Sequence, residues 1–170
     1  DFRKINRIDK KISKFHINDL FLFKENLYVS FFSISGNYNN KNFVQDGGVI
    51  SINLKNNKVT RCMTNLQKPH SPVIHKGKLF VLDSSSGKLL DNNMNVLGKF
   101  NGFIRGLDFA ENFFIIGQSE DMYSSLNVNK ARRGPIFCNS GIIIFDQENN
   151  LKRFYPTMSI MNIHDIKVLD

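Results

Sequence analysis

Tryptophan is missing from all 170 residues, cysteine occurs twice, proline four times, and acidic residues are outnumbered by basic ones, 15 to 23. Cys62 and Cys138 lie too far apart for a C-x-x-C pair or a zinc spacing, so the expectation is two reduced, buried thiols with no disulfide suggested. No apolar run approaches the ~18 residues of a membrane-crossing helix, and no charged-then-apolar leader opens the chain. These absences read together as a cytoplasmic protein with no membrane span. Nucleophile and nucleotide signatures are lacking too: there is no G-x-S-x-G, no P-loop and no G-x-G-x-x-G. Helix signals are nearly absent.

The net charge of +8 raises the question of nucleic acid, but its distribution answers against it. The positive residues gather only at Arg3–Lys14 and Lys130–Arg133, and neither cluster is interleaved with stacking aromatics. The richness in Asn, Lys, Ile and Phe looks like the drift of an AT-rich genome, which further weakens any argument from charge.

What the chain does contain is a repeated phrase: a polar or basic residue, a short apolar strand, a tight turn and a second apolar strand. The copies open at His16, His70, Arg105 and His164. Repeats of this kind point to stacked units that cannot bury their apolar faces alone. Within them, Leu20–Phe23 and Leu27–Phe32 are continuous apolar runs, expected to be strands buried on both faces. Val49–Leu54 alternates with period two, and Lys55-Asn-Asn-Lys58 is hairpin chemistry, because Asn tolerates a left-handed backbone.

Turns at His75–Gly77, Asp83–Gly87 and Asp91–Asn93 cut the next unit into four short strands, and Leu107–Phe109, Phe113–Ile116, Gly141–Phe145 and Leu151–Tyr155 supply four more. Asp91–Asn95 has a calcium-loop look but lacks the later glutamate, so it reads as a hairpin turn. Phe100, Phe103, Phe109, Phe113 and Phe114 are expected to fill the wedges between units. Residues 1–14 read as an outer strand or frayed lead-in. Ser33–Asp46 and Gln118–Ser140 read as long loops, the second exposed.

The expected fold is therefore an all-β β-propeller in one domain spanning 1–170, with blades of four antiparallel strands at 15–64, 69–101 and 103–157 and a further blade starting at 163–170. Three or four blades do not close a ring, and closure is what protects the sheet edges of a propeller. Either further blades belong to a longer chain, or partner chains complete the ring. The chain opens on Asp1 rather than Met, which suits a processed product or a portion of something longer.

The segments Pro69-His-Ser-Pro72, Leu79–Leu89 with its Leu-Asp-Ser-Ser-Ser-Gly core, Gly102-Phe-Ile-Arg-Gly-Leu107 and Ile116-Gly-Gln-Ser119 resemble a bacterial family built around a domain of unknown function. Its pattern is P-H-S-P-R, L-x-V-L-D-S-G-x-G-x-L, P-G-F-x-R-G-L and V-G-L-S. The resemblance implies a six-bladed propeller about twice this length, of which this chain would be the C-terminal part, sometimes joined to tetratricopeptide repeats or encoded near surface-glycan genes. Two departures stand out: Val73 replaces the usual Arg after P-H-S-P, and Glu120-Asp-Met-Tyr123 replaces a basic stretch. Both weaken an anion site at those positions.

In a propeller the innermost strands open beside the central channel, so His16, His70, Arg105 and His164 are expected to converge there as a ligand site. Three imidazoles, His16, His70 and His164, make a divalent metal a candidate cofactor. Arg105 offers a planar fork to an anionic or glycan-like ligand. Asp19, Asp108 and Asp165 would orient the ring from behind. Two functions follow: a ligand-binding or protein-interaction scaffold, which the resemblance would tie to surface-glycan biosynthesis, or a metal-dependent hydrolase, lyase or epimerase with a histidine-lined channel. Against both stands a structural reading, in which channel-end polar groups satisfy backbone groups and Ser71 with Pro72 forms a turn device.

Overall fold

The computed structural model describes residues 14–38, 45–119, 140–157, 160 and 162–169. Among these, twelve strands form three four-stranded antiparallel sheets, each a meander in chain order. The first holds β1 (Ile17–Phe23), β2 (Asn26–Phe31), β3 (Gly47–Asn53) and β4 (Val59–Leu66). The second holds β5 (Pro69–His75), β6 (Lys78–Asp83), β7 (Lys88–Asp91) and β8 (Val96–Lys99). The third holds β9 (Phe103–Ala110), β10 (Phe113–Ser119), β11 (Gly141–Asp146) and β12 (Leu151–Pro156). Left-handed residues turn the hairpins where the sequence places turn formers, Asn57 at φ 58° among them. Asp91 spends its carboxylate on the backbone N–H groups of Asn93 and Asn95, which makes that loop a hairpin turn.

The first strand of each sheet is innermost: β1 packs on β5, and β5 on β9. Two cores lie between the sheets. Val49, Met63 and Leu66 meet Leu79, Val81 and Leu90 at the first junction. At the second, Phe80, Leu82, Leu89 and Phe100 meet Ile104, Phe114, Ile116, Ile143 and Phe145. Aromatic rings fill this wedge edge to face, with Phe80–Phe114 and Phe100–Phe145 centroids both 5.4 Å apart. Each fully buried side chain of this size contributes about 1.5–3 kcal/mol, so the junctions hold the sheets in a fixed radial order.

One irregularity repeats in all three innermost strands. The ladder steps from Ile17↔Phe31 to Leu20↔Val29, from His70↔Leu82 to Val73↔Phe80, and from Ile104↔Gln118 to Leu107↔Ile116. Each innermost strand thus carries one residue more than its partner, a β-bulge at the same height.

The bulges free backbone groups that then join neighbouring sheets. Ser71 N–H donates to Asp19 Oδ2 at 2.7 Å, and Gly106 N–H donates to Ser71 Oγ at 2.9 Å. Residues 162–169 continue the series beside β9: Val168 N–H donates to Asp108 Oδ2 at 2.8 Å. Gly106 has φ +77°, and a Cβ there would come within 3.0 Å of the Asp165 and Ile166 backbone. Glycine is therefore required for this close approach.

Several expectations need correction. β1 is not buried on both faces: Ile17, Leu20 and Leu22 are 61, 64 and 59% exposed. By the ladder register, Leu22, Leu27, Ile52 and Val59 form one row across the outward side of the first sheet. No further sheet covers it among the described residues, and an apolar run alone does not reveal that. Phe113 is likewise not core; it lies 39% exposed on the outward side of the third sheet, beside Leu151 and Tyr155.

The stretch 162–169 forms no strand, since none of the described residues pairs with it in a ladder. Cys62 is half-buried rather than buried, with a free thiol. Cys138, the lead-in over 1–13 and most of the expected 118–140 loop lie outside the described residues, as do 39–44. No helix among the described residues is long and apolar enough to cross a membrane.

Candidate functional site

The four residues expected at the channel mouth do gather at one end of the innermost strands, but as an arc with aromatic spacers. His16 stacks on Phe32 (4.4 Å, 15°) and on Tyr38 (4.5 Å, 30°). Phe32 meets the buried His70 edge-on at 5.2 Å, and His70 meets Phe103 at the same distance. The Arg105 guanidinium lies 5.5 Å over Phe103 and donates to His164 Nδ1 at 3.2 Å. Counted from the bulge, His70 stands level with Ile17 and Ile104, so His16 sits one residue early and Arg105 one residue late. The shared register expected from the phrase does not hold, because the bulge resets it.

The spacers decide the chemistry. Among the described residues, no three His, Cys, Asp or Glu side chains come together to hold a metal ion. The triad His16, His70 and His164 therefore does not fit a divalent metal. Phe32 keeps His16 from His70, and the Nδ1 lone pair of His164 is engaged by Arg105.

His70 Nδ1 lies 3.0 Å from the Lys68 carbonyl and 2.8 Å from Ser84 Oγ. A carbonyl only accepts, so the proton sits on Nδ1 and Nε2 is bare. Burial, with the Arg105 charge adding to it, lowers the His70 pKa to about 3. The ring is neutral and supplies no positive charge to an anion. His16 is also held below its ordinary pKa, by burial and by the nearby Lys68 ammonium.

Arg105, 7% exposed, donates from Nε to Ser119 Oγ at 3.2 Å and from a terminal nitrogen to Asn162 Oδ1 at 2.9 Å. Ser119 in turn accepts from Ile163 N–H at 2.9 Å and donates to its carbonyl at 3.0 Å. Arg105 and Ser119 thus anchor the 162–169 stretch, and the Leu-Asp-Ser-Ser-Ser-Gly motif anchors His70. Asp83 accepts from Gln67 N–H and from the Ser86 hydroxyl, fixing the turn that presents Ser84.

The three aspartates expected behind the ring instead face a cavity of about 250 Å³ on the axis. Its wall carries Asp19, Ser71, Asp108, His164, Asp165 and Lys167, and its floor is Phe21, Pro72, Val73 and Leu107. Asp108 is paired with Lys167 at 3.2 Å. Burial disfavours its charge, but the Val168 and Phe109 N–H groups and the Lys167 ammonium outweigh that and hold its carboxyl below the usual range. Asp19 is raised, chiefly by burial and further by the Asp165 charge, against the pull of the Ser71 N–H, Arg105 and His164. The cavity thus joins an anionic wall to an apolar floor.

Radial four-stranded meanders whose innermost strands line a common axis define a β-propeller. The chain belongs to the family of DUF4915, a domain of unknown function, whose profile matches residues 6–170. Among solved structures it resembles the crystal structure of the nidogen/laminin complex, at TM-score 0.50 and 13% identity over 81% of this chain. At that identity the likeness is one of fold. The chain spans 47% of the length of the nidogen/laminin chain it matches. A search of curated proteins finds no match.

Sequence reasoning missed the residues that do the fastening. Phe32 and Phe103 looked like ordinary core, and Asn162 carried no signal beyond nearness to His164. Ser71 was legible only as a turn device, although its hydroxyl and N–H link three sheets.

Proposed function

We propose that this β-propeller is a binding module that holds a small polar, hydroxyl-bearing ligand of glycan type in its axial cavity. The observation that carries the reading is the cavity itself: side chains from β1, β5, β9 and the 162–169 stretch converge on about 250 Å³, small beside the ~300–1,000 Å³ of drug-sized sites. Carboxylates and serine accept and donate to hydroxyls, while Phe21, Val73 and Leu107 suit the C–H face of a sugar ring. A role beside surface-glycan biosynthesis, as the family resemblance implied, would suit such a ligand.

The state of the candidate bases supports binding over catalysis. His70 is neutral and fastened, His164 Nδ1 receives Arg105, and Ser84 Oγ is buried beneath His70. An anionic ligand is disfavoured, because three aspartates line the cavity against one lysine, which Asp108 already pairs.

The test is saturation-transfer NMR of a panel of monosaccharides against the wild type and an Asp19→Asn variant, which keeps an acceptor for Ser71. Transfer to at least one sugar, weakened about tenfold in the variant as expected for one lost charged hydrogen bond, is the expected result. Sugars that show no transfer, or that bind both proteins alike, would remove the axial cavity as the site.

A further inference from the structure

The ionic accounting of the axial cavity carries one step further than its size. Asp108 is matched by Lys167 at 3.2 Å. Asp19 and Asp165 form no salt bridge among the described residues, and Asp19 Oδ2 takes only the Ser71 N–H at 2.7 Å. They come from different parts of the fold, Asp19 from the β1 bulge and Asp165 from the 162–169 stretch, yet line one cavity.

The cation on the cavity wall, Lys167, is taken by Asp108, and Arg105, which does not line the cavity, bonds among others to Ser119, Asn162 and His164. Two carboxylates on one wall repel each other, and the electrostatic coupling of Asp165 to Asp19 follows from that placement. A ligand bringing a positive charge between them would relieve the repulsion and add charge-assisted hydrogen bonds.

Resting on the reading of the cavity as a ligand site, we propose that the preferred ligand carries a protonated primary amine, seated between Asp19 and Asp165 with its carbon skeleton on Phe21, Val73 and Leu107. An ammonium has three donors and no acceptor, which matches two acceptor-only carboxylates; a carboxylate or phosphate ligand would meet like charge on the same wall. An amino sugar would satisfy both the hydroxyl-bearing character proposed above and the amine.

Three probes on one ring scaffold separate the possibilities: glucosamine, N-acetylglucosamine and glucuronate, titrated by calorimetry at neutral pH into the full chain. Glucosamine is expected to bind at least tenfold more tightly than the neutral amide, with glucuronate weakest. The preference should vanish in both Asp19→Asn and Asp165→Asn, the second being an exposed position whose change leaves the fold intact. Raising the salt concentration should erode the glucosamine advantage and leave the amide unchanged.

Equal binding of the amine and the amide, both lost in Asp19→Asn, would overturn the amine and keep the cavity as a sugar site. A glucuronate preference would overturn the amine outright. Binding indifferent to both substitutions would overturn the amine and the site together.

Discussion

At the scale of single residues, His70 shows how a strand-opening histidine becomes a structural group. Its folded pKa is about 3 against an ordinary 6.5. Between those values the unfolded chain binds a proton that the folded chain refuses. Stability from this group is therefore complete above about pH 6.5 and falls as pH drops toward 3, with a slope approaching about 1.4 kcal/mol per pH unit.

A His70→Asn variant keeps a donor near the Lys68 carbonyl but does not titrate. Denaturant midpoints measured from about pH 7 to about pH 4 should flatten in that variant, after a loss of about 1–3 kcal/mol at neutral pH for the vacated volume. An unchanged slope would show that other groups govern the acid limb. The residue type at this position was legible in the sequence; its charge state was not, because that depends on Phe32 and Phe103, which lie 38 and 33 residues away in the chain.

At the scale of elements, the repeated bulge is the organising device. Asn18-Asp19, Ser71-Pro72 and Arg105-Gly106 occupy it and share no residue type, so the sequence displayed the strands and turns around the bulge but not the bulge. What the three sites share is backbone geometry, and alignment by residue type placed His16, His70 and Arg105 one position out of step.

Gly106→Ala would put a methyl group against the Asp165 and Ile166 backbone at a left-handed φ. The expected cost is about 1–3 kcal/mol, read as a lowered unfolding midpoint with faster amide exchange across 163–168. Asp108→Ala should act more locally. Losing the acceptor of Val168 and the partner of Lys167 should speed Val168 exchange about tenfold, equivalent to about 1.4 kcal/mol, while β5–β8 amides keep their protection. If Val168 exchange is unchanged, the carboxylate does not hold the stretch in place.

For the molecule as a whole, the repeats spelled out three four-stranded sheets because hydrophobic periodicity and turn residues agreed along the chain. What lies beside the first and third sheets was not legible, since an apolar strand reads the same whether covered or bare. Leu20, Leu22 and Val59 on one outward side and Phe113, Leu151 and Tyr155 on the other are all at least 39% exposed. Bare faces of that kind promote association. Light scattering of the chain should show association that rises with concentration, and a Leu22→Lys, Leu151→Lys double variant should reduce it without changing the far-ultraviolet circular dichroism. Scattering unaffected by the two substitutions would mean that these faces are not the sticky ones.

The fastening between sheets also has a direction. Asp19 receives Ser71, Ser71 receives Gly106, and Asp108 receives Val168, so along this row of bulge contacts the acceptor side chain precedes its donor in the chain. Each sheet is a local meander, and each latch reaches back to a sheet already made. A ribosome releasing this chain from its N-terminus could thus latch the second sheet to the first and the third to the second as each emerges, while Arg105 and Ser119 of the third sheet wait for residues 162–164.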